Sequence, residues 1–216
     1  MVLSDSRILQ CLLNTLIIAF FSATFGAFFF SLVEYVLVRT KLPGRGALDS
    51  ICWLPSAIPG VLSGLGLLWM FLGTPFFRPF YGTIVLLVIA LVLGGITLST
   101  QILKANFVQL GNELEEASRM SGAGFWRTYF QVVFPLMAQT MVLVAVLKFT
   151  FASQNASSII LLATSETRTL SLLALDQIAA GYREVASITV IYITLLTLGV
   201  ALIARSFGLK VGIRAE

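Results

Sequence analysis

Few side chains in this sequence of 216 residues could carry out chemistry. Histidine is missing from it, so neither a His-dependent nucleophile nor a His-ligated metal can be built from the chain. Cys11 and Cys52 both fall in or beside apolar segments, which argues against a disulfide scaffold or a zinc site. The densest group of acids, Glu113, Glu115 and Glu116, has the spacing of the first turn of a helix. We therefore expect no enzyme activity, no bound metal and no cofactor of its own.

The sequence also lacks the motif with which a chain binds ATP. Its four lysines are followed by Leu42, Ala105, Phe149 and Val211, so the Lys-Ser or Lys-Thr that ends a phosphate-binding loop does not occur. Any process driven by ATP and magnesium would need a separate ATPase subunit.

Polar side chains interrupt the apolar stretch that begins at Leu136. Gln154, Asn155 and Ser158 lie near its end, and Lys148 precedes Asn155 by seven residues, or two helical turns. An unsatisfied polar group in hydrocarbon costs several kcal/mol, so these side chains should face the protein interior or a water-filled cavity. We expect the four to line or border a solute path. For Lys148 a second interpretation stays open, in which the side chain snorkels outward to the membrane interface.

A lipid bilayer must surround the elements that position these residues. Hydrophobic residues make up 58% of the chain and charged residues 11%, and the mean hydropathy is +0.96. These values lie outside the range of soluble domains and exclude a water-soluble enzyme. The formal net charge of +4 would suggest nucleic-acid binding in a soluble protein, but in a membrane protein the placement of the basic residues indicates topology.

Apolar runs predict an all-α fold. A helix needs about 20 apolar residues to cross the hydrocarbon layer, and five runs qualify. We predict a polytopic transmembrane helical bundle of about five spans that forms a single domain over residues 1–216. Its spans lie within 8–38, 51–72, 81–103, a run that begins at Leu136, and 185–204.

The second span has two local features. Pro55 and Pro59 should break or kink its entry, because proline removes a backbone donor and clashes with the preceding turn. Gly60, Gly64 and Gly66 should form a small-residue face against which another helix packs closely.

Basic residues mark every second connection between the spans. By the positive-inside rule these connections lie in the cytoplasm, so the N-terminus is predicted outside and the C-terminus inside, in a multi-pass protein of the cytoplasmic membrane. Residues 105–135 then form a cytoplasmic loop between the third and fourth spans. The residues that set this topology are Arg39, Lys41, Arg45, Lys104, Arg119, Arg127, Arg205, Lys210 and Arg214.

The cytoplasmic loop should begin with a helix. Asn112 followed by Glu115 is typical of an N-cap with its reciprocal partner. Glu115 and Arg119 have the i, i+4 spacing of an ion pair, and Gly122 and Gly124 should end the helix.

A second short helix is predicted to follow. Phe125, Trp126, Tyr129 and Phe130 recur at helical spacing on one side, and Pro135 should open the next span, where its missing N–H costs little. Taken alone, this helix could simply lie in the headgroup layer with its aromatic side chains in the interface.

The order of residues in the loop forms a longer pattern, which consists of Glu116-Ala117-Ser118, three residues, Gly122, nine residues, Val132, one residue, and Phe134-Pro135. This order resembles the EAA signature, E-A-A-x3-G-x9-I-x-L-P, of inner-membrane permease subunits of binding-protein-dependent ABC importers. In that family the signature marks the cytoplasmic loop that docks on the ATPase. Ser118, Val132 and Phe134 depart from its alanine, isoleucine and leucine.

Three further runs extend the resemblance over nearly the whole chain. Residues 13–16, 54–66 and 167–170 are similar to permeases of the ferric-iron, polyamine and thiamine branch. Permease units of that branch commonly carry one more N-terminal helix and are sometimes fused in tandem. The resemblance therefore implies that this chain is one permease unit, or one half of a longer or fused permease.

The resemblance also implies function and partners. We expect a permease subunit that alternates between outward-open and inward-open states, with ferric iron as substrate and polyamine or thiamine as alternatives. Its expected partners are a second permease unit, ABC ATPase subunits, and a periplasmic or extracellular solute-binding protein. Amphipathicity and the resemblance together assign coupling to the ATPase to Glu116, Ala117, Arg119, Gly122, Phe125, Trp126, Tyr129, Phe130 and Pro135.

A transporter of a different class stays open as an alternative. Secondary transporters, which work without ATP, also contain broken helices with polar residues near the membrane midplane. Such a protein would leave the EAA-like loop unexplained.

Overall fold

The computed structural model describes residues 6–111 and 113–206, and these residues form helices and no strand. The predicted all-α fold is confirmed. A short 3-10 turn at Arg78–Phe80 and a π-helical turn at Tyr129–Val133 accompany the α-helices. The α-helices are α1 (Ser6–Arg39), α2 (Arg45–Ala57), α3 (Gly60–Gly73), α4 (Ile84–Gly94), α5 (Ile96–Gln109), α6 (Glu113–Met120), α7 (Phe125–Thr128), α8 (Phe134–Gln154), α9 (Leu170–Ala179) and α10 (Arg183–Ser206).

Three of the described helices are long and apolar enough to cross a membrane: α1, the continuous helix Phe125–Gln154, and α10. Two pairs of shorter helices also qualify when each pair is taken together. Helices α2 and α3 meet at 113°, and α4 and α5 meet at 52°. If each bent pair counts as one span, the described residues hold up to five, the number predicted from the sequence.

The break in the second span lies where the prolines predicted it. Pro55 lies inside the last turns of α2, and Pro59 immediately precedes α3. With no N–H on either proline, the helical hydrogen-bond ladder cannot continue through this segment. The bend of 113° means that α3 does not continue the direction of α2.

The fourth span begins earlier than predicted, and it ends at the polar cluster that interrupts the apolar stretch. A separate aromatic helix followed by a span beginning at Leu136 is wrong, because one helix runs from Phe125 to Gln154. Pro135 is accommodated next to the π-helical turn, where the wider i, i+5 hydrogen-bond pattern suits a missing donor. At the other end, α8 stops at Gln154, and the irregular chain beyond it returns Ile159 and Leu162 to the core, both fully buried.

Helix α1 is the central element and packs along α8, α5 and α4. One part of the core surrounds Ile18 and Leu91, and the other surrounds Phe30, Tyr35 and Phe107. Large apolar side chains also face outward along the spans, as lipid contact requires. We call the end of the bundle where α1 finishes beside α6 the α6 end, and the opposite end, where α1 begins, the far end.

Candidate functional site

An ion pair fixes α6 to the bundle. Arg39, the last residue of α1, places its Nε 3.0 Å from Oε1 of Glu115, and about nine-tenths of each side chain is buried. The same guanidinium donates from Nη2 to the carbonyl oxygens of Phe107 (3.0 Å) and Leu110 (2.6 Å) at the end of α5. One side chain therefore joins the ends of α1, α5 and α6. The sequence had predicted Arg119 as the partner of Glu115, and the structure corrects this to Arg39.

Arg119 instead bonds to α1. Its Nη2 donates to the hydroxyl of Tyr35 at 3.4 Å, and this hydrogen bond raises the pKa of Arg119 above its ordinary value. Gly122 ends α6 with φ +85°, a left-handed conformation that favours glycine. The predicted N-cap, Asn112, lies outside the described residues.

The outward side of α6 is apolar. Leu114, Ala117 and Met120 follow one another at three-residue spacing, and the side chains of Leu114 and Met120 are 58% and 90% exposed. Glu115 faces the bundle, whereas Glu116 is exposed. Sequence analysis missed Leu114 and Met120, although their spacing among the acidic residues was the available signal.

The four predicted aromatic anchors differ in how far they are exposed. Trp126 and Phe130 are 60% and 47% exposed and stack with ring centroids 6.0 Å apart. Phe125 is partly covered and packs edge-on against Tyr35. Tyr129 is buried and hydrogen-bonded to Ser31 of α1, so it does not belong to the exposed aromatic surface.

Ser118 ties α6 to the fourth span. Its Oγ lies 3.1 Å from Oγ1 of Thr128, which is fully buried. The serine that departs from the EAA signature therefore forms a hydrogen bond that an alanine could not form. Pro135, the last residue of the signature, lies exposed in the first turn of α8.

Lys148 neither snorkels to an interface nor faces an open path. It is 2% exposed, and its Nζ donates to the carbonyl oxygen of Val92 at 3.3 Å and lies 5.1 Å from the ring centroid of Phe30. Val92 belongs to the last turn of α4, just before the break between α4 and α5. A cation suits this position, because the last carbonyl groups of a helix carry partial negative charge.

Two glycines make room for this lysine. A Cβ atom at Gly26 of α1 would lie 2.1 Å from Cε of Lys148, and one at Gly95 would lie 2.7 Å from its Nζ. Neither distance is possible for real atoms, so a larger residue at either position would displace the lysine. The ammonium therefore occupies space that a glycine of α1 and a glycine at the break between α4 and α5 leave open.

The other three predicted pathway residues have separate environments. Gln154 is exposed and lines a cavity of about 400 Å³ between α8, α9 and α10, together with Ser171 and Thr194. The Oδ1 of Asn155 accepts a hydrogen bond from the backbone N–H of Ser158, which folds the chain after α8. Ser158 itself is buried. Of the four, Gln154 is the one that faces open space.

The small-residue face of α3 packs against a loop rather than a helix. A Cβ atom at Gly60 would lie 2.6 Å from Oγ of Ser157, and one at Gly64 would lie 2.7 Å from the carbonyl oxygen of Ser158. Gly66 has open space around it. Two of the three predicted packing glycines therefore hold the loop after α8 close to the broken second span.

Hydrogen bonds at the far end connect α1 to the chain before α9. Nδ2 of Asn14 donates to the carbonyl oxygens of Glu166 (2.8 Å) and Arg168 (3.0 Å), and the backbone N–H of Leu170 donates to Oγ1 of Thr15 (2.9 Å). Apart from Glu166, these residues belong to two of the runs that carried the sequence resemblance. Although the two runs are distant in sequence, they are in contact in the fold.

Comparison with known sequences identifies related proteins. A family model described as "Binding-protein-dependent transport system inner membrane component" matches residues 35–212. The chain is 31% identical over 157 residues to the putative ferric transport system permease protein FbpB 1 of Haemophilus influenzae, covering 73% of this chain and 24% of that protein. It is 26% identical to the sulfate permease CysT of Escherichia coli, covering 75% of this chain and 61% of that protein. The molybdenum permease ModB of Escherichia coli is 29% identical, and 81% of each chain is covered.

Comparison with solved structures supports the fold. A chain of a bacterial alginate ABC transporter, solved in complex with an alginate-bound periplasmic protein, superposes with a TM-score of 0.77 at 18% identity. The match covers 98% of this chain and 83% of that chain. By contrast, the chain spans about a quarter of the length of the Haemophilus relative.

Proposed function

This chain belongs to the family of binding-protein-dependent transport system inner membrane components, and from that premise we propose that it forms the membrane pathway of an ATP-driven importer. The single observation that best supports a coupling role is the apolar outward side of α6, held by an ion pair at the end of α1. A separate ATPase subunit binds ATP and magnesium, and an external solute-binding protein delivers the substrate.

We infer that α6 docks in a groove of the ATPase. An amphipathic helix binds a groove through apolar residues spaced three or four apart, as Leu114, Ala117 and Met120 are. Trp126 and Phe130 extend this apolar surface onto the next helix. A force on α6 reaches α1 and α5 through Arg39, since its guanidinium contacts all three elements.

Several docking residues are needed together. Driving a two-state equilibrium from 1:99 to 99:1 takes about 5.5 kcal/mol of differential binding. Burial of one large apolar side chain contributes roughly 1.5–3 kcal/mol. Because Leu114, Met120, Trp126 and Phe130 are about half to nine-tenths exposed, their joint burial is of the required size, whereas no single one of them meets it. Glu116 and Arg119 orient the docked helix, Gly122 ends α6, and Pro135 lies beside the π-helical turn within the fourth span.

The solute path is proposed to run along the cavity at Gln154, Ser171 and Thr194. A second permease unit would close this cavity from the other side. Asn155 and Ser158 shape the loop that borders it, and Lys148 supports the neighbouring broken span from within the bundle. The polar groups of the cavity are neutral, so substrate selection falls mainly to the external binding protein.

We propose ferric iron as the substrate, because the ferric permease of Haemophilus is 31% identical to the chain. Sulfate and molybdate are second candidates, on the basis of the two Escherichia coli relatives. Uptake of labelled iron, sulfate and molybdate by cells that express the complete importer would separate these substrates.

The coupling assignment is tested by removing the apolar side chains of α6. Leu114→Ala/Met120→Ala should leave the permease inserted and its melting temperature unchanged, because both side chains are mostly exposed. Co-purification of the ATPase and uptake should each fall at least tenfold. Phe76→Ala is the matched control, since it removes another exposed apolar side chain (75%), in the connection that follows α3. Normal ATPase binding by the double variant would refute the assignment.

A secondary transporter is the second candidate, because the 113° and 52° bends resemble the broken helices of that class. Transport in vesicles that contain the permease with and without its ATPase distinguishes the two. ATP-independent transport driven by an ion gradient would favour the second candidate.

A further inference from the structure

A basic pocket of about 200 Å³ opens beside α6, and we propose that it binds the anionic headgroup of a membrane phospholipid. The end of α1, the turn that follows it, the start of α2 and one side of α6 form its walls. Its charged lining residues are Arg39, Lys41, Arg45, Glu115, Glu116 and Arg119.

The charges of the pocket do not cancel. Arg39 and Glu115 neutralise each other, which leaves Lys41, Arg45 and Arg119 against the exposed Glu116. Among the described residues no group pairs with the Lys41 ammonium.

The two remaining arginines keep donors to spare. Arg45 uses one N–H on the carbonyl oxygen of Thr40 at 3.1 Å, and Arg119 uses one on the hydroxyl of Tyr35. A guanidinium has five N–H donors in a planar fork, so both arginines can bind phosphate oxygens.

The position of the pocket matches the headgroup layer. Helix α1 has 34 residues and is therefore about 51 Å long, whereas a bilayer with its headgroups is about 40–45 Å thick. Arg39, the last residue of α1, accordingly lies at or just beyond the headgroups. The positive-inside rule assigns this side to the cytoplasm, where basic pockets between membrane helices bind anionic lipids.

Exposed apolar side chains that follow the pocket residues along the chain favour a lipid over an acidic protein segment. Leu42, directly after Lys41, is 55% exposed, and Ile51 and Leu54, further along α2 from Arg45, are 54% and 55% exposed. A basic pocket on a helix that continues with exposed apolar side chains complements a molecule with an anionic head and hydrocarbon tails. A soluble acidic segment would match the basic pocket and leave these apolar side chains uncovered.

The test measures phosphatidylglycerol retained by the intact importer, purified from membranes that contain it, using native mass spectrometry. Each basic residue near a membrane surface contributes about 1 kcal/mol, or about fivefold in affinity, so Lys41→Gln/Arg45→Gln should lower retention roughly 25-fold. Both side chains are exposed, and the melting temperature of the variant in detergent should stay unchanged. Arg205→Gln, which removes an exposed cation from the last turn of α10, is the control and should retain the lipid.

Three results would overturn the proposal. Equal lipid retention by the double variant and Arg205→Gln would show that the pocket does not select the lipid. Thermal stabilisation by inorganic phosphate in phosphatidylcholine vesicles, as large as that by phosphatidylglycerol, would assign the pocket to free anions. Loss of the ATPase from the double variant with lipid retention intact would assign the pocket to an acidic surface of the ATPase.

Discussion

The bundle holds two buried cations, Arg39 at the end of α1 and Lys148 in α8, and accommodates them in opposite ways. At the α6 end, Arg39 meets a carboxylate, Glu115, at 3.0 Å. In the middle of the bundle, the described residues offer Lys148 no acid, and its ammonium lies against the carbonyl oxygen of Val92 and the ring of Phe30. The first charge is therefore held by a partner of opposite charge, whereas the second is held by the shape and dipoles of the helices around it.

The largest effect should come from removing the charge that has a charged partner. Arg39→Met leaves the Glu115 carboxylate buried without its cation, and breaking such a pair costs about 3–5 kcal/mol. Helix α6 also loses the link that Arg39 makes to the ends of α1 and α5. Chemical or thermal unfolding of the purified permease measures the loss, and Arg39→Met/Glu115→Gln should recover most of it.

Lys148→Met is the matched substitution in the middle of the bundle. It exchanges a buried charge for an apolar side chain of similar length and leaves no acid unpaired, so the free energy of unfolding should change by less than about 1 kcal/mol. If Lys148→Met destabilised the protein as much as Arg39→Met, the contrast between the two cations would be wrong.

An intermediate effect should come from filling the space that the lysine occupies. Gly26→Ala places a Cβ atom where the Lys148 side chain now lies, 2.1 Å from its Cε, and overpacking of this kind costs about 1–3 kcal/mol. The displaced ammonium would also lose its hydrogen bond to Val92. Melting temperature in detergent measures the effect.

Two further variants test whether contact with Lys148 causes the loss of stability in Gly26→Ala. Gly26→Ala/Lys148→Ala should regain stability relative to Gly26→Ala alone, because the shortened side chain no longer reaches the new methyl group. Gly66→Ala is the control, since a Cβ atom there meets nothing within 4 Å. A loss at Gly26 that shortening Lys148 fails to reduce would contradict the proposed contact.

Features with local causes could be predicted from the sequence. The apolar runs predicted the membrane helices, and Pro55 and Pro59 predicted the break in the second span. Hydropathy and the missing proline N–H both act on the segment in which these residues lie. Helix α6 could be predicted from its acidic first turn and from Gly122, whose positive φ ends it.

Features with distant causes could not be predicted. Glu115 has a cation four residues away, yet it pairs with Arg39, which only the packing of α1 brings near. Tyr129 was predicted to lie on the same side of a helix as three other aromatic residues, but it faces inward and forms a hydrogen bond with Ser31 of α1. The buried position of the Lys148 side chain depends on the space at Gly26 and on the carbonyl group at the end of α4. The sequence around residue 148 indicates neither contact.

The smallest effect among the variants that weaken the attachment of α6 should come from its hydrogen bond to the fourth span. Ser118→Ala restores the alanine of the EAA signature and removes the neutral hydrogen bond to Thr128, which is worth about 0.5–1.5 kcal/mol. Ser121→Ala is the control, because that hydroxyl donates to the carbonyl oxygen of Ser118 in an exposed position and should contribute little. Unfolding measurements on both variants rank this link against the ion pair. If Ser118→Ala lowered the free energy of unfolding as much as Arg39→Met, α6 would be held by its hydrogen bond to α7 rather than by the charge at the end of α1.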